Sequence, residues 1–523
     1  MLNNSYLNEI KANIPRILSL FDTDQTSSSY GMGDRYHWAW GLIDFGNGTF
    51  QGAAHGLARL WNSKMWPYDT SQKKFLSRIN SIFEAANSLK RKDGSLEEAF
   101  PHEGSYCVTA LVAFDLLCAK ELLDKEISKD MSNRWTTIIA SMIDYLIKAD
   151  ETHAIISNHL ATSVAALVRW NLLTGDKKAE KKARDQLNKI ILNQSEEGWY
   201  KEYEGADPGY QSLCIYYLAD VHKLKPEWKL FDSLSSSINF LWHFAHPDGS
   251  FGGLYGSRST RFYYPAGVMA LADEIPEAAV LSEFMRNSIK NQKVVTLSAV
   301  DEPNLIPMFN AYAWSAVMIN HLETTQKSDS SKILPCQDQK SFRKYLPEAG
   351  LLIDRGTNYY TIISIHKGGV VYHFNNMSPA QINVGVVLQD DKFRLGSTQS
   401  YNKKNIFIQK LDKIEITTQI SSINKKIPKP IDFILLRIFS LTIFRSSIIR
   451  EWFKKYLVNM LITKYKFWSV ENKRTILLGN DLRIDDKINK NHGYKILNNT
   501  STFVPIHMAS QGYWQVQDED GET

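Results

Sequence analysis

Between about residue 70 and residue 325 the apolar positions recur at helical spacing. SVAALVRWNLLTG (163–175) places them at i, i+3 and i+4 and stops at Gly175, the residue type that most easily ends a helix. DKKAEKKARDQLNKIILNQ (176–194) predicts a second helix, with Asp176 as its N-cap and a charged outer face turned to solvent. The two make a hairpin of an inner and an outer helix. Several such hairpins in a row can close into an (α/α) toroid.

Three stretches repeat one layout: DGSLEEAFPHEGSYCVTALVAFDLL (93–117), EEGWYKEYEGADPGYQSLCIYYLADV (196–221) and PDGSFGGLYGSRSTRFYYPAGVMALAD (247–273). In each, an acidic residue or its neighbour precedes a glycine, polar and aromatic residues follow, and a tyrosine opens an apolar helix. The glycines are Gly94, Gly198 and Gly249, so the second interval of 51 is about half the first of 104. That spacing predicts stacked helix pairs, none able to bury its apolar face alone. The loops at one end of the array are then the natural place for chemistry.

Residues 1–30 predict an amphipathic helix and a polar linker. Residues 30–68 crowd Asp34, His37, Trp38, Trp40, Asp44 and His55 between glycines. This reads either as a packing plug or, through His37 and Trp38, as part of a sugar-binding wall. After Ser328 the texture changes to β-branched and aromatic alternation broken by glycines, beginning with KYLPEAGLLIDRGTNYYTIISIHKGGVVYHF (344–374). The expected architecture is therefore multidomain α+β: a toroid over 1–325, a polar linker at 324–332, and an antiparallel β domain over 340–523. Residues 421–475 stand out as an insertion, with twelve Lys and Arg against three Asp and Glu, in a chain whose net charge is only +5. One reading is further strands with basic edges. The other is a surface that meets anionic lipid or a polyanionic chain.

Composition narrows the class. A chain of 523 residues exceeds one ordinary core, and 43% hydrophobic with 22% charged residues is globular. The four cysteines show no CxxC, and three lie in apolar helical segments, as free thiols in a reducing compartment would. Charged residues interrupt the N-terminal segment, which lacks the pattern of an export signal, and no apolar run is long enough to span a bilayer. The expectation is a cytoplasmic protein, peripheral at the inner membrane face. Aromatics in the basic stretch are not spaced as a base-stacking platform, so no nucleic acid partner is expected. His153 and His159 do not have the spacing of a helical ligand pair, there is no HExxH and no phosphate-binding glycine loop, and neither metal nor cofactor is expected.

The most chemical segment is ISNHLATSVAAL, where a loop enters an apolar helix at Asn158 and His159. One helix pair further on, a loop with Glu202, Glu204 and Asp207 leads to Tyr210. In a toroid these loops face a common cleft, so the amide, the imidazole and the phenol can converge. A helix-opening Asn-His, then a Gly-x-x-x-Glu loop leading to a tyrosine, in a toroid followed by a β-sandwich, resembles the heparinase II/III-like polysaccharide lyases. Alginate-lyase-type enzymes and dermatan-sulfate-type uronyl epimerases are related arrangements. The resemblance covers about 150–375 and implies that Asn158 neutralises a uronate carboxylate, that His159 is base or neutraliser, and that Tyr210 is the acid/base. The family commonly adds a histidine from its β domain. The nearest here, His366 and His373 in SIHKGGVVYHF, do not reproduce that pattern.

The chemistry can also be argued without the resemblance. Removing a proton α to a carboxylate requires its charge to be cancelled first. A tyrosine of ordinary pKa near 10 is a poor base at neutral pH unless cations lie beside it. Arg258 and Arg261 in GLYGSRSTRFYYP suit both tasks, or else pair with Glu202 or Glu204. Trp199, Tyr263 and Tyr264 could stack on sugars or pack in the core. Two other classes stay open: an inverting glycoside hydrolase, for which Asp44, Glu97, Glu98, Glu103, Glu202, Glu204 and Asp207 offer carboxylate pairs, and a non-catalytic glycan-binding assembly protein. The expected partner is an acidic polysaccharide or lipid-linked glycan.

Overall fold

The computed structural model describes residues 4–41, 43–151, 154–322, 332–375, 378–423, 428–459, 465–489 and 493–498. Six inner helices touch one another in a closed ring: Ala53–Asn62, Tyr106–Leu123, Ser157–Thr174, Pro208–Leu224, Pro265–Ala270 and Glu302–Leu322, the last returning to the first. Around them lie Gln72–Leu89, Lys129–Lys148, Lys177–Leu192, Phe231–Leu241, Pro276–Lys290 and the N-terminal Ser5–Leu18. This is the helical toroid. The inner helices are buried on nearly all sides, as Tyr106–Leu123 shows, whereas Lys177–Leu192 buries one stripe and solvates the rest. Gly175 takes φ +75° at the end of Ser157–Thr174, and Asp176 caps the next helix by accepting from Lys178 N at 2.8 Å.

The recurring glycines have a common cause. Gly94, Gly198 and Gly249 all sit near φ +90°, where a side chain would be strained. A Cβ on Gly94 would fall 1.9 Å from Ser141 O, and one on Gly198 would fall 2.2 Å from Ser236 O. These two loops thus lie directly on the backbone of the outer helix that follows them in the ring, whereas a Cβ on Gly249 would meet the Lys293 side chain, just past the next one, at 3.1 Å. Gly31 repeats the arrangement against Ser81 O, at φ +84°.

The strands begin at Phe342. Five form an antiparallel meander from Phe342–Leu346 to Ser378–Asn383, and a second antiparallel sheet takes the remaining strands from Val387–Asp390 to Tyr494–Asn498. Alternation in the first sheet decides what each face meets. Ile353, Ile362, Tyr360 and Tyr372 join the helical core, while Leu352, Ile363 and Val371 pack on Ile414, Ile416 and Ile476 of the second sheet. The first sheet is therefore a middle layer between toroid and outer sheet. Most of the expected linker at 324–332 lies outside the described residues.

The basic stretch 421–475 is a strand at its far end, from Phe467, but the described residues before it are mainly helical. Lys413–Ser422 and Phe467–Leu477 pair directly, and the chain between them forms two helices, Pro430–Leu441 and Ser447–Val458. PIDFILLRIFSL is so rich in Ile, Leu and Phe that a strand and a helix both suit its composition, and the structure makes it a helix.

Candidate active site

Every inner helix from Tyr106–Leu123 onward starts at the same end of the ring, so the loops before them gather there. Four non-glycine residues in those loops hold left-handed backbone: His102 at φ 63°, Tyr203 at φ 55°, Ser259 at φ 59° and Gln292 at φ 53°. Such strain concentrates where loops are held for a function.

Helix Ser157–Thr174 has no side-chain N-cap of its own. The next loop supplies the acceptors instead. Ser157 N and Oγ donate to Lys201 O at 3.0 and 2.9 Å, and Asn158 N donates to Glu202 Oε1 at 3.2 Å. The Asn158 side chain adds a second bond to the same oxygen at 2.5 Å. Glu202, 1% exposed, thus sits as an anion on a helix N-terminus, where the backbone dipoles favour its charge. Burial nevertheless raises its carboxyl above the usual range, against the pull of Arg258, His159 and Asn158.

Arg258 Nη1 reaches Glu202 Oε2 at 3.4 Å. Its guanidinium carbon lies 3.5 Å from the centre of the Tyr210 ring and 5.5 Å from that of Tyr203. Burial works against the Arg258 charge, but Tyr210, Tyr203, Glu202 and Asp207 together hold it firmly protonated. Asp207 fixes the backbone on both sides: it caps Pro208–Leu224 through Tyr210 N at 3.2 Å, accepts from Arg258 N at 2.9 Å, and takes the Thr260 hydroxyl. The Tyr210 hydroxyl points to Asn304 Oδ1 at 3.4 Å, at the start of Glu302–Leu322, and Asn304 is itself held by Asp301 at 2.8 Å.

His159 is half-buried and its Nδ1 faces the Glu151 carboxylate at 2.9 Å. Burial alone would lower the imidazole. Cys107 and Glu151 override it and hold His159 well above its ordinary range. Since burial keeps the Cys107 thiol protonated, Glu151 is the charge that matters. His159, Asn158, Glu202, Arg258 and Tyr210 therefore form one connected set drawn from three consecutive loops.

The β domain reaches the same loops. Lys367, fully buried in the turn between two strands of the first sheet, donates to Leu254 O, to Gly256 O at 2.9 Å and to Ser259 Oγ at 2.7 Å. These residues flank Arg258. Burial, opposed by Asp207, brings its ammonium down to about 7. His366 is bonded through Nδ1 to the Tyr401 hydroxyl at 3.2 Å, and Tyr401 in turn packs on Gly205. Burial and Lys403 push the imidazole down to about 4, so it is neutral at pH 7.

Several residues expected to touch substrate do not line this set. Trp199, 5% exposed like Tyr210, keeps its indole N–H on Glu197 at 3.0 Å, and Glu197 in turn holds Glu348 N and Ala349 N, so the ring braces the contact with the β domain. Tyr264 is fully buried and its hydroxyl donates to Asn304 at 3.1 Å, so it cannot present a face to a sugar. Tyr263 is equally buried against Met285 O. His37 and Trp38 are tied to the backbone oxygens of Ile43 and Leu20 at 2.7 and 2.8 Å, in keeping with a packing plug. Arg261 is half-buried and its carbonyl accepts from Val295 N at 3.3 Å. Asn158 is present in the set but is 3% exposed with its amide committed to Glu202, so it secures a carboxylate of the protein itself. Glu151, Asn304 and Lys367 escaped the sequence reading. Lys367 lies between the two glycine and histidine signals of SIHKGG, and Glu151 lies one helical-loop step ahead of His159.

No known family model matches the chain, and no curated protein matches its sequence. Solved structures do match in fold. Chondroitin AC lyase from Streptomyces coelicolor A3, in complex with chondroitin sulphate, superposes with a TM-score of 0.50 at 10% identity, over 80% of this chain and 67% of that one. A xanthan lyase from Paenibacillus gives 0.48 at 11% identity over 80% of this chain and 46% of that one. Heparinase III gives 0.47 at 11% identity over 89% and 64%. At 10% identity the likeness to the chondroitin lyase speaks for the fold alone.

Proposed function

We propose that this chain acts on a uronic-acid-containing polysaccharide by removing the C5 proton, as a β-eliminating lyase or a C5-epimerase. The observation that carries the reading is the Arg258 guanidinium clamped against the Tyr210 ring while bonded to Glu202. A cation held against a phenol stabilises the negative charge that ring takes on when it gives up its proton. A permanent guanidinium can also accept a uronate carboxylate, lowering the cost of negative charge at C5. In the forward step the base takes the C5 hydrogen and the C–H electron pair moves into the carboxylate. In a lyase that pair then forms the C4–C5 double bond and expels the C4 oxygen, which receives a proton. In an epimerase a proton returns to C5 from the opposite face. In this reading Tyr210, as its phenolate, takes the C5 proton and the protonated His159 supplies one.

The carboxylates speak against hydrolysis as the reaction of this set. Glu202 and Asp207 are both buried and spend their oxygens on Asn158, Arg258 and Thr260, which closes that pair to water activation. A chain of this kind working beside a membrane would serve assembly of a bacterial capsule or lipopolysaccharide. Incubation with uronate polysaccharides in deuterated water tests the chemistry. Deuterium at C5 or an ultraviolet-absorbing unsaturated end is expected. Chain cleavage with neither would assign a hydrolase, and binding without turnover would assign a glycan-binding protein.

A further inference from the structure

The two-helix insertion, Pro430–Leu441 and Ser447–Val458, breaks the usual relation between apolarity and burial. A helix apolar on all sides belongs in a core or in lipid. Yet Ile431, Ile434 and Ile438 are each half exposed or more, and on the second helix Ile448 is 81% and Trp452 66% exposed. Twelve of the 31 exposed large apolar side chains among the described residues fall between 431 and 456. Concentration of this kind marks a docking surface.

The hairpin itself is firmly seated. Phe444, 1% exposed, and Phe453 pack on Phe100, Arg450 donates to His102 O at 3.2 Å, Lys454 pairs with Glu103 at 3.4 Å, and Arg437 pairs with Asp44 at 2.8 Å. The anchoring loop, 97–104, is the one that precedes Tyr106–Leu123 at the catalytic end of the ring. The exposed apolar face is therefore carried at the mouth of the site.

We propose that this hairpin docks in the interface of an anionic phospholipid bilayer. Charge selects that occupant. Of the twelve basic side chains in residues 421–475, Arg437, Arg450, Lys454 and Arg474 are bound within the protein, but Lys429, Arg445 and Lys455, at the ends of the two helices, are exposed. Lysine and arginine stems reach to anionic headgroups while apolar side chains enter the acyl boundary, with Trp452 and Tyr456 of the type that settles at that depth. A two-fold contact with a second copy would set these basic rims against each other. No helix among the described residues is long and apolar enough to cross a membrane, so the contact lies in the plane of the interface. A site opening beside such a surface would receive a lipid-linked acidic glycan, a consequence that rests on the proposed chemistry; the docking does not.

Flotation of the full chain with vesicles tests it and needs no turnover. The protein is expected to float with phosphatidylcholine–phosphatidylglycerol vesicles, weakly with phosphatidylcholine alone, and less at high salt. Ile434→Glu with Ile438→Glu, or Arg445→Glu with Lys455→Glu, should each lower the bound fraction about tenfold without altering the circular dichroism. Equal flotation of wild type and both variants, or no flotation on anionic vesicles, would overturn the proposal. So would a lipid-free dimer in the ultracentrifuge that Ile434→Glu with Ile438→Glu abolishes.

Discussion

The guanidinium of Arg258 lies flat enough on Tyr210 to bring its central carbon within 3.5 Å of the ring centre. The phenol hydroxyl donates to Asn304 Oδ1 across 3.4 Å, longer than an ordinary O–H···O bond. Removing that oxygen takes away the proton-transferring group at the cost of a weak bond to Asn304. Tyr210→Phe is expected to lower C5–H exchange about a thousandfold while shifting stability by less than about 1 kcal/mol. Deuterium incorporation and thermal unfolding on the same preparation check the two halves. Retained exchange would remove Tyr210 from the reaction.

Arg258→Lys separates charge from shape. Lysine keeps the cation but loses the planar fork that bonds Glu202 and covers the ring at once. Turnover should fall about a hundredfold, chiefly in kcat, because the lost contact is to the group that reacts. A variant with wild-type kcat and a raised KM would make Arg258 a substrate-binding residue only.

His159 and Glu151 predict a pH signature in stability. Burial disfavours the charged imidazole, yet Glu151 at 2.9 Å keeps its proton affinity above that of an unfolded histidine. A group raised on folding contributes stability that is fully present below its unfolded value, near 6.5, and is lost as pH rises through the folded value. The melting temperature of the wild type should thus fall more steeply above pH 6.5 than that of Glu151→Gln. Parallel curves would show that the pair does not titrate as a unit.

What could be read from the chain alone follows from locality. Gly175, Asp176 and the glycines at 94, 198 and 249 act through their own backbone, so their role is visible in a few neighbouring residues. The alternation of Leu351, Leu352 and Ile353 likewise announces a strand buried on both faces. The site is different. Asn158 and Glu202 are 44 residues apart and Glu202 and Arg258 are 56 apart, so a repeat near 51 brings their loops to one end without fixing which side chains meet. Residue type named all three, but an aromatic such as Trp199 or Tyr264 looks the same in sequence whether it lines a cleft or fills a core. The insertion was open for another reason: Pro430–Leu441 is so rich in Ile, Leu and Phe that its composition suits a strand as well as a helix.

Lys367 joins these two halves and carries the last expectation. Its ammonium, the only part of the β domain to enter the 254–259 loop as a buried cation among the described residues, meets three acceptors there. Lys367→Met preserves the stem but leaves the carbonyls of Leu254 and Gly256 without that donor, at a cost of about 2 kcal/mol at pH 9. The lysine is lowered to about 7 by burial, below its unfolded value near 10.4, so the buried charge penalises the wild type below pH 7 and the penalty lifts as pH rises. The stability gap between wild type and variant should therefore widen from pH 6 to pH 9. Turnover should drop at least about tenfold, because the loop that loosens is the one holding Arg258 over Tyr210. The residue touches no substrate in this account, so the loss should appear in kcat with the pH optimum unchanged. A gap that stays constant with pH would show that Lys367 does not titrate in this range, and unaltered turnover would show that Arg258 is held without it.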